Sequence, residues 1–269
     1  MNIVCIGAHP DDPEVRAGGT AVKWTRLGHR VLFVSLTNGD IGHHAMGGGP
    51  LAQRRKAEAR RSAEMAGVQD LVLDHHDGEL EPTLELRKEV VRIIRRFDAD
   101  IVVAHRTNDY HPDHRYAGIV VQDAAFMVTV PHFCPDVPRL EKNPLFLYMI
   151  DSFTKPAPFS PDIAVDVTDA MDVKFDMLDA IESQVYEWLP WLDGALDTVP
   201  ADPAARRQWI EKAWSPRFRW ATAAARPGLD RWYGDAASQV EYAEAFEICE
   251  YGHQPSNDEI RVLFPFFPR

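Results

Sequence analysis

The run Asn2-Ile3-Val4-Cys5-Ile6-Gly7 passes directly into Ala8-His9-Pro10-Asp11-Asp12-Pro13-Glu14. The first stretch is short, apolar and β-branched, which predicts a buried strand. After the polar loop come Gly18-Gly19-Thr20 and a helical pattern over 21–28. A strand that ends in a polar loop before a helix is the first unit of an open α/β sheet. Ligands of such sheets bind at the carboxyl ends of the strands. Here that end carries an imidazole, two adjacent carboxylates and a third close behind.

The alternation continues along the chain. Apolar runs at 30–36, 70–73, 98–105, 145–150 and 163–167 read as strands. Segments 51–66, 84–97, 116–130 and 169–186 have helical spacing, with Gly67 suited to a C-cap. Strand–helix repetition predicts an α/β, Rossmann-like doubly wound, mostly parallel sheet. Six of the seven tryptophans fall between Trp188 and Trp232, which predicts a helical, Trp-rich C-terminal extension over about 187–269 on a core of about 1–186. The expectation is one domain across 1–269, closed by a helix over 236–249. The tail Phe264-Pro265-Phe266-Phe267 is too apolar for water. It is expected to pack on its own fold or against another copy in a homo-oligomer. The loop 37–49 ends in Gly47-Gly48-Gly49 and reads as a flexible lid, on which His43 and His44 are expected to be solvated, with substrate contact the alternative.

A formal net charge of −12 disfavours nucleic acid, whose phosphates need clustered Lys and Arg, and equally disfavours an anionic membrane surface. The basic cluster at Arg54-Arg55-Lys56 and Arg60-Arg61 is interleaved with Glu58 and Glu64, as on a solvated helix face. The three cysteines show neither zinc-ribbon spacing nor a disulfide framework. With no charged leader and no apolar run long enough to span a bilayer, a cytoplasmic protein is expected.

His9 and Asp12 are near enough in the chain to converge on one ion, and imidazole with carboxylate suits zinc. Asp11 would then stay free for proton transfer. Taken alone, the stretch fits a helix N-cap with solvated acids equally well. A second strand end changes that balance: 98–105 runs into Thr107-Asn108-Asp109-Tyr110-His111-Pro112-Asp113-His114-Arg115. His114 would complete three protein ligands, His9, Asp12 and His114, to one Zn2+.

These two loops resemble those of the PIG-L/LmbE family of zinc-dependent N-deacetylases, which carry A-H-P-D-D-x-E near the N-terminus and H-P-D-H about a hundred residues later. Both motifs stand here, at 8–14 and 111–114. The resemblance covers about 1–186, with weaker features at 37–42, 55–58, 77–80 and Ser183-Gln184. It departs just before that last pair, where Ile181 stands in place of a histidine common in relatives.

Residue chemistry and resemblance together make Asp11 the general base and His111 the group that stabilises the oxyanion and protonates the leaving amine. Asp113 or Asp109 would orient an imidazole, and Glu14 would serve behind the ligands or as a helix N-terminal charge. Resemblance further implies that Arg55 and Asp77 hold sugar hydroxyls. Alternatives are an ion pair of Arg55 with Glu58 and a plain turn role for Asp77. The expected activity is removal of an acetyl group from a small N-acetylated amino sugar or glycoside. A zinc amidase acting on a larger conjugate is the nearest alternative. A non-catalytic sugar-binding or nucleotide-binding Rossmann-like protein is another, although G-x-G-x-x-G is absent.

Overall fold

The computed structural model describes residues 1–268. In chain order the main elements are β1 (Asn2–Gly7), α1 (Asp12–Arg26), β2 (Arg30–Thr37), α2 (Gly48–Ala66), β3 (Gln69–His75), α3 (Leu84–Phe97), β4 (Ile101–Ala104) and α4 (Pro112–Met127). After them come β5 (Leu145–Met149), β6 (Ile163–Asp166), α5 (Met171–Asp179), a π-helical turn over Ser183–Trp188, and α6 (Leu189–Leu192). The chain closes with α7 (Pro203–Ala224), α8 (Arg226–Tyr233), β7 (Ala243–Ile248) and α9 (Asn257–Leu263).

The strands form one seven-stranded sheet in the order β3-β2-β1-β4-β5-β7-β6. All pairs from β3 to β5 are parallel, as the alternation requires. The central strands are buried on both faces, which is why they read as unbroken apolar runs. The chain leaves β1 toward β2 and β3 on one side and later returns to β4 and β5 on the other. Between β1 and β4 lies the topological switch point, where carboxyl ends diverge and leave a crevice. Ile6 pairs with Ala104, so the exit loops with His9 and His105 emerge side by side.

Three expectations are corrected. The segment 236–249 is not one α-helix: a 3₁₀ helix ends at Gln239, and 243–248 is β7, antiparallel to both β5 and β6. Ala and Glu are good helix formers, but here a strand-shaped gap between two edges overrides propensity. The first helix starts well before residue 21: α1 begins at Asp12, with Pro13 in its first turn, and includes Gly18-Gly19-Thr20. A Cβ at Gly19 would lie 2.7 Å from Val167, so the small residues let α1 press against the end of β6. Nor is the triple glycine all loop. Gly47 precedes α2, Gly48 and Gly49 open it, and the Gly48 N–H donates to the Asp40 carbonyl at 2.7 Å. At the other end Gly67 takes the left-handed cap as expected (φ 66°). The apolar tail packs on its own chain, with Phe264 fully buried beside Trp24.

Glu244 on β7 ties the two halves together. Its carboxylate accepts from the Gly19 and Thr20 N–H groups, the Thr20 hydroxyl and Lys174 Nζ, all within 2.6–2.8 Å. Lys174 is buried too, and burial holds its pKa below the ordinary lysine value against the pull of Glu244. Removing one partner of such a pair strands the other charge. Glu244→Ala is therefore expected to lower the unfolding free energy by about 3–5 kcal/mol. Replacing both with apolar residues should cost clearly less. Urea unfolding midpoints of the single and double variants check this.

Candidate metal and catalytic site

The site grows from the exits of β1 and β4. After Gly7 the chain turns so tightly that a Cβ there would lie 2.6 Å from Asp12 Cβ, a contact only glycine avoids. Asp12 Oδ2 then accepts from the Ala8 and His9 N–H groups at 2.9 and 2.8 Å, fixing the loop. On the other side α4 begins at Pro112, earlier than the sequence pattern implies, and His111 is its N-cap. This puts His114 in the first helical turn, facing His9.

Three donor groups converge. His9 Nδ1 lies 3.2 Å from His114 Nε2, His114 Nε2 is 3.4 Å from Asp12 Oδ1, and His9 Nδ1 is 3.5 Å from Asp12 Oδ2. Ligands about 2.0–2.1 Å from a tetrahedral zinc stand about 3.3–3.4 Å apart. Each imidazole nitrogen has the other, and one oxygen of Asp12, at about that spacing. Each imidazole is also turned by a carboxylate on its far nitrogen. His9 Nε2 is 3.1 Å from Asp113 and 3.2 Å from Asp77, and His114 Nδ1 is 3.1 Å from Asp109. With those nitrogens holding the ring hydrogens, His9 Nδ1 and His114 Nε2 are left as the free nitrogens, facing each other at 3.2 Å. Asp113 is itself fixed by the Gly78 and Leu80 N–H groups at 2.6 and 3.2 Å.

The electrostatics favour a cation. Burial opposes charge on His9, yet Asp113, Asp12 and Asp77 outweigh it and hold its pKa well above the ordinary range. Burial likewise opposes ionisation of Asp12, but His114 and His105 keep it well below the usual carboxylate value. Burial pushes Asp11 up, with the Arg55 guanidinium pulling the other way. His111 is lowered by burial and by His9 and His114 beside it. Its Nδ1 accepts from the Asp113 N–H at 3.3 Å, which leaves Nε2 as the hydrogen-bearing nitrogen.

Arg55 is not on a solvated face and does not pair with Glu58. It is buried, 3.3 Å from Asp11 and 3.6 Å from Asp77, while Glu58 is taken by Arg54 and Ser183. Asp77 is more than a turn residue, since its two oxygens face His9 and Arg55. Glu14 turns away from the donors. Burial pushes its carboxyl up to about 8, and one oxygen has no partner among the described residues. His43 is not solvated: it meets Glu187 at 2.7 Å, and Arg54 grips the same carboxylate with two nitrogens. His44 stacks on Trp191. Ile181 is fully buried in the core, and the Gln184 amide reaches the Gly42 carbonyl.

Sequence reasoning gave His105 no role. It is buried, stacked on His114 with ring centroids 4.2 Å apart, and 3.1 Å from Asp12 Oδ2. Its position immediately after β4 was the available signal. His114 thus belongs to two overlapping donor groups, one with His9 and His111 and one with Asp12 and His105.

Fold and site together define the class: an open-sheet α/β protein with a histidine–carboxylate donor cluster at its switch point. The pattern of the PIG-L family, GlcNAc-PI de-N-acetylase, matches residues 4–125. A diacetylchitobiose deacetylase of Thermococcus kodakarensis is 34% identical over 201 residues, 71% of this chain and 74% of that protein. A probable N-acetyl-α-D-glucosaminyl L-malate deacetylase of Bacillus anthracis is 26% identical over 227 residues, 78% of this chain and 92% of its own length. The solved N,N'-diacetylchitobiose deacetylase of Pyrococcus horikoshii superposes with a TM-score of 0.71 at 25% identity, covering 92% of this chain and 83% of that one. The chain belongs to the PIG-L family of deacetylases. Among the described residues, no helix is long and apolar enough to cross a membrane.

Because Asp113 orients His9 from behind while anchoring the Gly78 and Leu80 N–H groups, Asp113→Asn, which keeps an acceptor oxygen for the backbone, should fold but weaken divalent-metal affinity about 10–100-fold. Competitive titration against a metal-binding dye reads this directly.

Proposed function

We propose that the protein is a zinc-dependent hydrolase that removes the acetyl group from an N-acetylated amino sugar or glycoside. One observation carries the metal reading: two imidazole nitrogens and one carboxylate meet at 3.2–3.5 Å, each imidazole held from behind by an acid. His9, Asp12 and His114 would hold the ion, which would supply Lewis acidity toward a carbonyl and a water of pKa near about 7. The names of the relatives support the amide and the sugar, because both curated relatives are deacetylases of N-acetylglucosamine-type compounds.

The chain's own groups divide proton transfer and oxyanion stabilisation between them. Asp11 precedes the ligand Asp12 and lines the cavity above the donors, so its carboxylate takes the proton of the attacking water. Arg55 holds that carboxylate in place at 3.3 Å. His111 also lines the cavity and presents Nε2–H, a hydrogen-bond donor for the oxyanion, while the proton that Asp11 has taken passes to the departing amine. Arg55 and Asp77 line the same floor and keep hydrogen-bonding capacity for sugar hydroxyls at its edge.

His9→Ala, Asp12→Ala and His114→Ala are each expected to lose most of about one bound zinc per chain, whereas His111→Ala and His105→Ala should keep it. Elemental analysis decides, and full occupancy in the first three would refute this ligand set. Asp11→Asn should retain zinc and lose at least about 10²-fold in turnover of an N-acetylglucosaminide. For His111→Ala, kcat should fall by about 10²–10³ with little change in KM, since its donor acts on charge that develops in the transition state. Unaltered kcat in either zinc-loaded variant would remove that residue from the mechanism.

A further inference from the structure

The donor cluster lines a cavity of about 1060 Å³. Ligand sites commonly span roughly 300–1,000 Å³, so this one has room for far more than a single amino-sugar ring. Beyond Asp11 and His111 the walls come from Trp188, Leu189 and Leu192 and, on α7, from Trp214, Phe218 and Trp220. All six lie outside the part of the chain that the family pattern matches.

The polar groups on that side are few and mostly engaged. Lys174 and Glu244 bind each other at 2.7 Å, and Arg217 is 3.1 Å from Asp193. Arg16, half-buried, has no hydrogen-bond or ion-pair partner among the described residues, but it offers donors only. A second sugar ring placed there would give up water around its hydroxyls and find few free side-chain acceptors beyond Ser152 Oγ and Gln184 Oε1, which is unfavourable. An apolar group loses nothing of the kind and gains by leaving water.

The mouth has the same character. Ile41, Leu192 and Trp220 line the cavity and are 60%, 54% and 44% exposed. Scattered exposed apolar residues mean little, but three at the entrance of one cavity mark a binding surface.

We propose that this half of the cavity is a subsite for an apolar aglycone, so that the substrate class is an N-acetylated amino sugar linked to an alkyl or aryl group. The proposal rests on the deacetylase reading above for the sugar end and on the tryptophan wall for the other. Catalysis happens at the acetamide, and the wall contributes by holding the remote group, whose binding energy positions the reacting bond.

The test compares kcat/KM for methyl and octyl β-N-acetylglucosaminide and for diacetylchitobiose, with the octyl compound below its micelle-forming concentration. The octyl glycoside is expected to exceed both others by at least about tenfold, a modest return for several buried methylenes. Leu192 and Trp220 are half exposed, so Leu192→Ser and Trp220→Ala remove wall contacts without emptying the core. Each should bring the octyl-to-methyl ratio toward one. Equal rates for methyl and octyl, or preference for diacetylchitobiose over octyl, overturns the proposal. If no N-acetyl compound is hydrolysed, the deacetylase reading fails instead, and binding decides the subsite. Titration of tryptophan fluorescence should then show octyl glycoside binding tighter than methyl, with the difference lost in Trp220→Ala. Indistinguishable affinities overturn the proposal on that route as well.

Discussion

Asp113 is wholly buried and binds in three directions, to the His9 ring and to the Gly78 and Leu80 N–H groups. Those contacts join the loop after β1, the loop after β3 and the start of α4, which are far apart in the chain. A buried carboxylate left without donors would be costly, so satisfying it fixes all three segments relative to one another. His9 is oriented as a by-product of that satisfaction. Asp12 acts in the same manner on the adjacent loop, spending one oxygen on two backbone N–H groups while the other faces His114. The donor geometry therefore follows from how the sheet's exit loops are tied, not from the donors alone.

The wall opposite the cluster is built differently. The π-helical turn at Ser183–Trp188 is held at both ends by charge. Ser183 is bound to Glu58 and Glu187 to Arg54 and His43. Turns of this kind occur often at functional sites because they re-aim side chains within a helix. Here Trp188 lines the cavity and stacks on Trp191, which stacks in turn on His44. Pro216 lies inside α7 and removes one helical hydrogen bond beside Trp214 and Phe218. The catalytic end is thus set by backbone-anchored acids, and the far end by aromatic packing on helices that cross from the C-terminal part of the chain.

Glu244 links these two regimes. It accepts from the Gly19 and Thr20 N–H groups in the middle of α1 and holds Lys174 of α5, with which it lines the cavity. A buried charged pair of this sort contributes little net stability, yet it penalises any arrangement in which β7 slips or fails to insert. The position of β7 between β5 and β6 is thereby coupled to the position of α1.

The strand–helix alternation, the parallel half of the sheet and the two loops with the histidines and acids were legible from residues 1–150, because periodicity and local spacing are properties of neighbouring residues. So was the choice of His9, Asp11, Asp12, His111 and His114 as the residues to bring together. Tertiary structure alone decided what those residues face. Arg55 reads as surface from its charged neighbours and is buried because Asp11 and Asp77, from other loops, offer it partners. His105 looks like the end of a strand and becomes part of the cluster because β4 pairs beside β1. The segment 243–248 has helix-forming composition and is a strand because two unpaired edges required one. In each case the deciding contact joins residues from different elements, tens to more than a hundred positions apart, and no local pattern records which long-range partner will satisfy a buried polar group.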